Sequence, residues 1–307
     1  MRNFFLLFLL FSSLFLTAGT FTISQVQAQS QNVYSLEIQG GAWNRSTLNI
    51  LVITPYDESW WNPIYLDSAL RAIGQWNDAI SFFAANYTDY SYLSYLKLES
   101  TISNQTLPGF DIYLNWTQST LQGTSDEIGL SSLFSQSNAI VKCTISLAAH
   151  TSHGDAIVDG DMQNIALHEL GHSLGLGHSN DTGDIMYPAL SLLGSARSIS
   201  TLDAYGVATI FAWMSNQFRF YPISNWLKGT PVILPSNIQY QYLPVSPQNA
   251  RPQSLQNNPI YQTLALMGEI LIHPDIFAIV IIFVIIFGII ALIPRRKPRS
   301  RIPKAAS

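Results

Sequence analysis

The sequence predicts an α+β domain in which a single sheet carries helices packed on it. Three observations point there. A β-rich run at 48–53 leads into a long amphipathic stretch, four strand-like runs follow between residues 95 and 147, and two further helical segments come after residue 160. The chain has no visible internal repeat.

Residues 29–45 read as a polar lead-in, and 48–53 as a first strand ending at Thr54-Pro55. Asn62-Pro63 then opens a helix, with proline at its first position. Leu66, Leu70, Ile73, Trp76, Ile80 and Phe83 recur at spacings of three and four and form one apolar stripe, the pattern of a helix on a core. Residues 95–99 and 110–116 alternate as strands do, and 128–133 and 140–147 are two shorter candidates. Cys143 lies in the second of these, where a small buried thiol is expected; as the only cysteine it can form no intramolecular disulfide. Asp161 is the expected N-cap of the next helix. Ser200 to Asp203 has the form of a capping box opening a closing helix that runs to about residue 214.

The most informative stretch is His168-Glu169-Leu170-Gly171-His172-Ser173-Leu174-Gly175-Leu176-Gly177-His178, followed by Met186. At about 100° per residue, His168 and His172 share one helical face, roughly 6 Å apart. Two imidazoles so placed can hold one tetrahedral metal, with Glu169 beside them as a base. Six residues past His172 is about 600°, so an uninterrupted helix would turn His178 to another face. The helix must therefore break between them, and Gly175 stands where a left-handed residue is needed. Three neutral imidazoles would leave zinc a position for water, whose pKa falls towards ~7, and Glu169 would take its proton as it attacks a peptide carbonyl. The alternative is a chance HExxH on an ordinary amphipathic helix. The longer pattern is more demanding, and it takes three of the six histidines.

The ends set the compartment. Apolar residues 4–16 precede Val26-Gln27-Ala28, so residues 1–28 read as a secretory signal peptide cut after Ala28, or as an uncleaved anchor. Residues 276–293 carry no charge and are long enough to cross a bilayer. Between 29 and 293 there are eight Lys and Arg against nineteen Asp and Glu, whereas 294–307 holds six basic residues and no acidic one. Basic flanks stay in the cytoplasm. The expected arrangement is a single-pass protein of the cell membrane, with 294–307 as a basic cytoplasmic tail and the acidic portion outside. The Pro-, Gln-, Asn- and Tyr-rich residues 215–275 read as an extracytoplasmic stalk. Sequons occur at Asn44, Asn86, Asn104, Asn115 and Asn180. No nucleic-acid partner is expected.

The string HELGHSLGLGHS followed by DIMYP resembles the matrixin branch of the metzincins, zinc endopeptidases related to matrix metalloproteinases. Ser179 after the third histidine is typical of that branch. Likeness extends to Ala69–Trp76, Phe110–Leu114, and Leu202-Asp203 with Gly206-Val207, and covers residues 46–214 as a catalytic domain. The resemblance implies a metzincin fold: one twisted mixed sheet of about five strands, an N-terminal helix, an active-site helix and a closing helix. It implies one catalytic zinc held by His168, His172 and His178, Glu169 as general base, and Met186 as the turn beneath the metal. Tyr187 and Pro188 would line the pocket for a substrate side chain, and 128–133 would be the edge strand to which an extended polypeptide adds.

The pattern departs from animal matrixins in three ways. No propeptide cysteine is expected to cap the zinc, the stretch before the edge strand has no His for a structural zinc loop, and no hemopexin-like repeat follows. The architecture is closer to minimal microbial peptidases. His150, His153 and Asp155 form a His-x-x-His-x-Asp cluster that could take a second metal or be solvated loop side chains. Asp155, Asp159 and Asp161 could hold calcium. Two functions compete: a membrane-tethered zinc endopeptidase acting on extracellular or surface polypeptides, and a non-catalytic surface binding or adhesion module that keeps the fold. The intact ligands and base favour the first.

Overall fold

The computed structural model describes residues 33–119, 121, 127–192, 196–220 and 228–250. The signal at 1–28, the span at 276–293, the tail at 294–307 and the stalk beyond 250 lie outside the described residues. Among those that are described, no helix is long and apolar enough to cross a membrane.

The elements are β1 (Ser35–Ile38), β2 (Ala42–Trp43), β3 (Thr47–Ile53), α1 (Ile64–Asn86), β4 (Lys97–Ser103), β5 (Ile112–Thr117), β6 (Gly129–Gln136), β7 (Ala139–Ala148), α2 (Asp159–Ser173), β8 (Leu176–Ser179), α3 (Thr201–Ile210) and β9 (Pro231–Ile233). Short 3-10 turns follow α1 and α3. The main sheet has six strands in the order β2-β7-β5-β3-β4, with β6 on β7. It is mixed, as expected: β6 runs antiparallel to β7 and every other pairing is parallel. β3 and β4 pair along their whole length because α1 supplies the long crossover that parallel neighbours require. β6 and β7 form a hairpin whose turn residues Ser137 and Asn138 both have positive φ (51° and 62°), the conformation that matches strand twist in a two-residue loop.

α1 buries Ala69, Ala72, Ile73, Trp76, Ala79, Ile80 and Phe83, while Leu66 and Leu70 are only partly covered. The buried stripe is thus rotated toward the alanines, which let α1 lie close to α2. The indole of Trp76 donates to the Leu167 carbonyl at 2.9 Å, and that of Trp43 to Ser173 at 2.8 Å, so α2 is held from both sides. Cys143 is fully buried, as the sequence suggested.

α2 begins differently from expectation. Asp161 is not its N-cap: Val158 holds that position with extended backbone and no side-chain cap, and Asp159 and Asp161 both lie in the first turn. Their charge complements the positive end of the helix. Asp159 also accepts from Ser68 Oγ at 2.6 Å and from the Arg71 guanidinium, which ties α2 to α1. The capping box at Ser200 is present as read, with Ser200 and Asp203 bonded reciprocally.

Two stretches read as lying outside the domain are packed into it. The lead-in 29–45 contains β1 and β2 and buries Leu36, Ile38, Ala42 and Trp43. Residues 228–250, read as part of the stalk at 215–275, contain β9, and they bury Val232, Ile238 and Leu243. A second, three-stranded antiparallel sheet results, in the order β8-β1-β9. Residue 241 then bonds to the start of α3, and 243 to Ile199. Asp78 on α1 accepts from Ser246 and Asn249.

Candidate active site

α2 carries His168 and His172 one turn apart, and the chain leaves the helix where the spacing demanded. Leu174 is still helical, Gly175 has φ +102°, and Gly175 N–H closes the end by donating to the His172 carbonyl at 2.9 Å. β8 then swings His178 back. One ring nitrogen from each of His168, His172 and His178 lies within 4.8 Å of the others, and no other group of three or more candidate ligands converges among the described residues.

The tautomers follow from the hydrogen bonds. His168 Nδ1 meets the Ile185 carbonyl at 2.7 Å and His172 Nδ1 the Leu176 carbonyl at 2.8 Å. A carbonyl only accepts, so both Nδ1 atoms carry the proton and both Nε2 atoms present lone pairs. That is the arrangement metal-ligating histidines use. Burial lowers the pKa of His168 to about 4 and that of His172 to about 3, and it lowers that of the more exposed His178 as well. All three are therefore neutral at physiological pH and able to ligate.

Glu169 is buried between α2 and β6. Its Oε2 has no hydrogen-bond partner, and a methyl group on Gly129 of β6 would lie 2.4 Å from Oε1. Burial raises its pKa to about 7, with Glu127 adding to the rise and the Ser131 hydroxyl opposing it. A divalent cation nearby would pull it down again. A buried carboxyl with an oxygen unused beside three neutral imidazoles fits a site that takes a metal and its water, so the residues present suit zinc.

Beneath the histidines, Met186 is fully buried. A Cβ on Gly171 would stand 2.3 Å from Met186 Sδ, so that glycine opens the space the turn occupies. Met186 N–H donates to Asp184 Oδ1 at 2.9 Å, and the Met186 carbonyl accepts from Ser179 N–H at 2.8 Å. Tyr187 is half-buried and Pro188 exposed just beyond.

The other candidate clusters do not assemble. His150 Nδ1 donates to the Gln118 carbonyl at 2.9 Å, while His153 is exposed next to Ser152, and the two do not converge with Asp155. The three aspartates considered for calcium do not gather either, because Asp159 is taken up by Ser68 and Arg71. Sequence reading missed Gly129, Gly171, Ser131 and Asp184. The glycines were visible within the motif or within a strand candidate, but the side chains that face them were not.

An HExxH helix whose third histidine returns on the next strand is the arrangement that zinc-dependent metallopeptidases use. Comparison with known proteins agrees and narrows it: residues 106–212 match the family described as Matrixin. The chain is 40% identical to interstitial collagenase of Bos taurus over 58 residues, 19% of this chain and 12% of that protein. It is 57% identical to metalloendoproteinase 1 of Glycine max over 51 residues, 17% of each. Metalloendoproteinase 1-MMP of Arabidopsis thaliana matches at 36% over 58 residues, 19% of this chain and 16% of that one. The chain thus aligns with less than a fifth of the length of these curated relatives. The matched segment is matrixin-like, and zinc is the cofactor that it and the three-histidine cluster define.

Proposed function

We propose that this chain is a zinc metalloendopeptidase that hydrolyses peptide bonds of extracellular or cell-surface polypeptides. One observation carries the reading: the unpartnered, buried Glu169 carboxyl oxygen next to the converging histidines. A site serving only structure would want a fourth protein ligand and has no use for such a base.

Zinc held by His168, His172 and His178 supplies Lewis acidity toward a peptide carbonyl and toward water. Glu169 takes a proton from the attacking water, whose oxygen forms the new bond to the carbonyl carbon. The same carboxyl then delivers that proton to the amine as the carbon–nitrogen bond breaks. Among the described residues β6 pairs with β7 alone, and no described strand occupies its other side, which supports docking of an extended polypeptide there as an added strand, next to the strand's contact with Glu169. Tyr187 and Pro188 stand after the Met186 turn as walls for a substrate side chain.

The relatives' names, a collagenase and two metalloendoproteinases, support the reaction class. The charge asymmetry and the apolar run at 276–293 support a domain that faces outward and is tethered to the cell membrane. The deciding experiment presents an unstructured peptide library to the zinc-loaded full chain and to its Glu169→Ala variant. Cleavage by the wild type, stopped by chelation and absent from a variant that keeps its zinc, is the expected result. Equal cleavage by both would sink the mechanism, and no cleavage by either would favour a binding module.

A further inference from the structure

Two residues of β6 sit against Glu169, and the same two turn their main chain away from the sheet. At Gly129 an added Cβ would lie 2.4 Å from Glu169 Oε1 and 2.8 Å from its Cγ, so the acid rests where a side chain would otherwise be. Two positions on, Ser131 Oγ donates to the Glu169 main-chain carbonyl at 2.8 Å. Residues two apart share one face of a strand, so both contacts come from the face toward α2.

The ladder fixes where the backbone of these residues points. Ala148 N–H donates to the Ile128 carbonyl at 2.8 Å, and the register continues as Gly129↔Leu147, Leu130↔Ser146 and Ser131↔Ile145. Hydrogen-bonded and non-hydrogen-bonded pairs alternate in an antiparallel ladder. Residues 128, 130 and 132 therefore bond to β7, while the N–H and C=O groups of Gly129 and Ser131 face the edge that no strand occupies among the described residues. These are the groups to which an added peptide strand would bond.

We propose that Gly129 and Ser131 are positioning residues that couple docking of the substrate strand to the aim of the Glu169 carboxyl. This rests on the peptidase reading above. A peptide paired at 129 and 131 steadies the strand that seats the base, so the carboxyl is set when the scissile bond arrives.

The test uses the zinc-loaded full chain with an internally quenched peptide. Ser131→Ala should lower kcat about 10-fold with KM within about twofold and zinc content unchanged, and Ser131→Thr should restore most of it. Gly129→Ala, which displaces the carboxyl itself, should cost about 100-fold or more, the scale of an ångström's misplacement. Unchanged kcat in both variants, or losses that follow zinc content or KM alone, would overturn the proposal. Crystal structures of zinc-loaded wild type and Gly129→Ala give a readout apart from activity. If the wild type holds zinc but cleaves nothing, the peptidase reading fails while the seat is judged there: a displaced Glu169 carboxyl supports it, and an unmoved one refutes it.

Discussion

His168 Nδ1 donates to the main-chain carbonyl of Ile185 at 2.7 Å, which ties the first of the three converging histidines to the turn that carries Met186. With His172 held likewise by the Leu176 carbonyl, and Gln39 Nε2 also 3.2 Å from its Nδ1, two of the three converging histidines have their rings oriented before any metal binds. A site organised before the metal arrives loses little freedom on binding. Zinc should therefore stabilise the fold strongly: at a free concentration a thousand times Kd the gain is about 4 kcal/mol, on the order of 10 °C in Tm. Thermal unfolding with zinc and with chelator measures it. His178→Ala should abolish most of the difference; a full zinc response in that variant would remove His178 from the ligand set.

Gly171 and Met186 make a second, independent pair. A Gly171→Ala methyl group would meet Met186 Sδ at 2.3 Å and Trp76 at 3.1 Å, and Trp76 is fixed by its bond to Leu167. Overpacking of this kind costs about 1–3 kcal/mol. Met186→Ala instead opens a cavity, at about 2–5 kcal/mol. In the double variant the new methyl occupies part of that cavity, so the combined loss should fall short of the sum by about 1 kcal/mol or more. Urea unfolding of the four proteins checks it, and strict additivity would mean that the turn relaxes away from the helix.

The parts of the site legible in the sequence were those determined locally. The interval from His172 to His178 is geometrically impossible on a continuous helix, so it announced the break at Gly175. Ser200 and Asp203 are three apart, so their cap was readable too. β1 and β9 were missed because strands of four and three residues carry almost no periodicity. Their identity depends on pairing across more than a hundred residues, Leu36 with Ser179 and with Val232. The polar composition of 215–275 suggested a stalk, yet three buried apolar side chains, Val232, Ile238 and Leu243, suffice to pack its first part. At Gly129 the limit was different in kind. A missing side chain is informative only once the group that fills its space is known.

That packing makes the C-terminal segment part of the folding unit, although it lies beyond the matrixin-matched stretch. β9 backs β1, β1 pairs with β8, and β8 carries His178. Tyr242 donates to the Gly183 carbonyl at 3.0 Å and Tyr240 to Asp184 Oδ2 at 3.2 Å, directly behind the Met186 turn. Burial of one such apolar side chain contributes about 1.5–3 kcal/mol, against a total stability of about 5–15 kcal/mol. A chain ending at residue 215 should unfold far below one ending at 250 and should bind zinc more weakly. Equal Tm for the two would show the segment to be dispensable.

Asp184 and Asp203 are both fully buried and share the hydroxyl of Ser200, at 2.7 Å and 3.0 Å. Burial, and then the charge of Asp184, raise the Asp203 pKa well above its ordinary value. In the unfolded chain this group loses its proton near pH ~3.9, whereas in the fold it keeps it to higher pH. The native state then binds more protons than the unfolded state, so stability falls as pH rises through that window. The contribution of Asp203 is complete below ~3.9 and is lost toward its folded pKa. Asp203→Asn keeps an oxygen to accept from Ser200 N–H, a bond of 2.8 Å, and offers an N–H toward Asp184 without ever ionising. Tm of the zinc-stripped wild type minus that of the variant should therefore decline steadily from pH 4 to pH 8. Stripping the metal keeps ligand protonation out of the comparison, and a difference that stays flat across the range would mean that Asp203 titrates alike in both states.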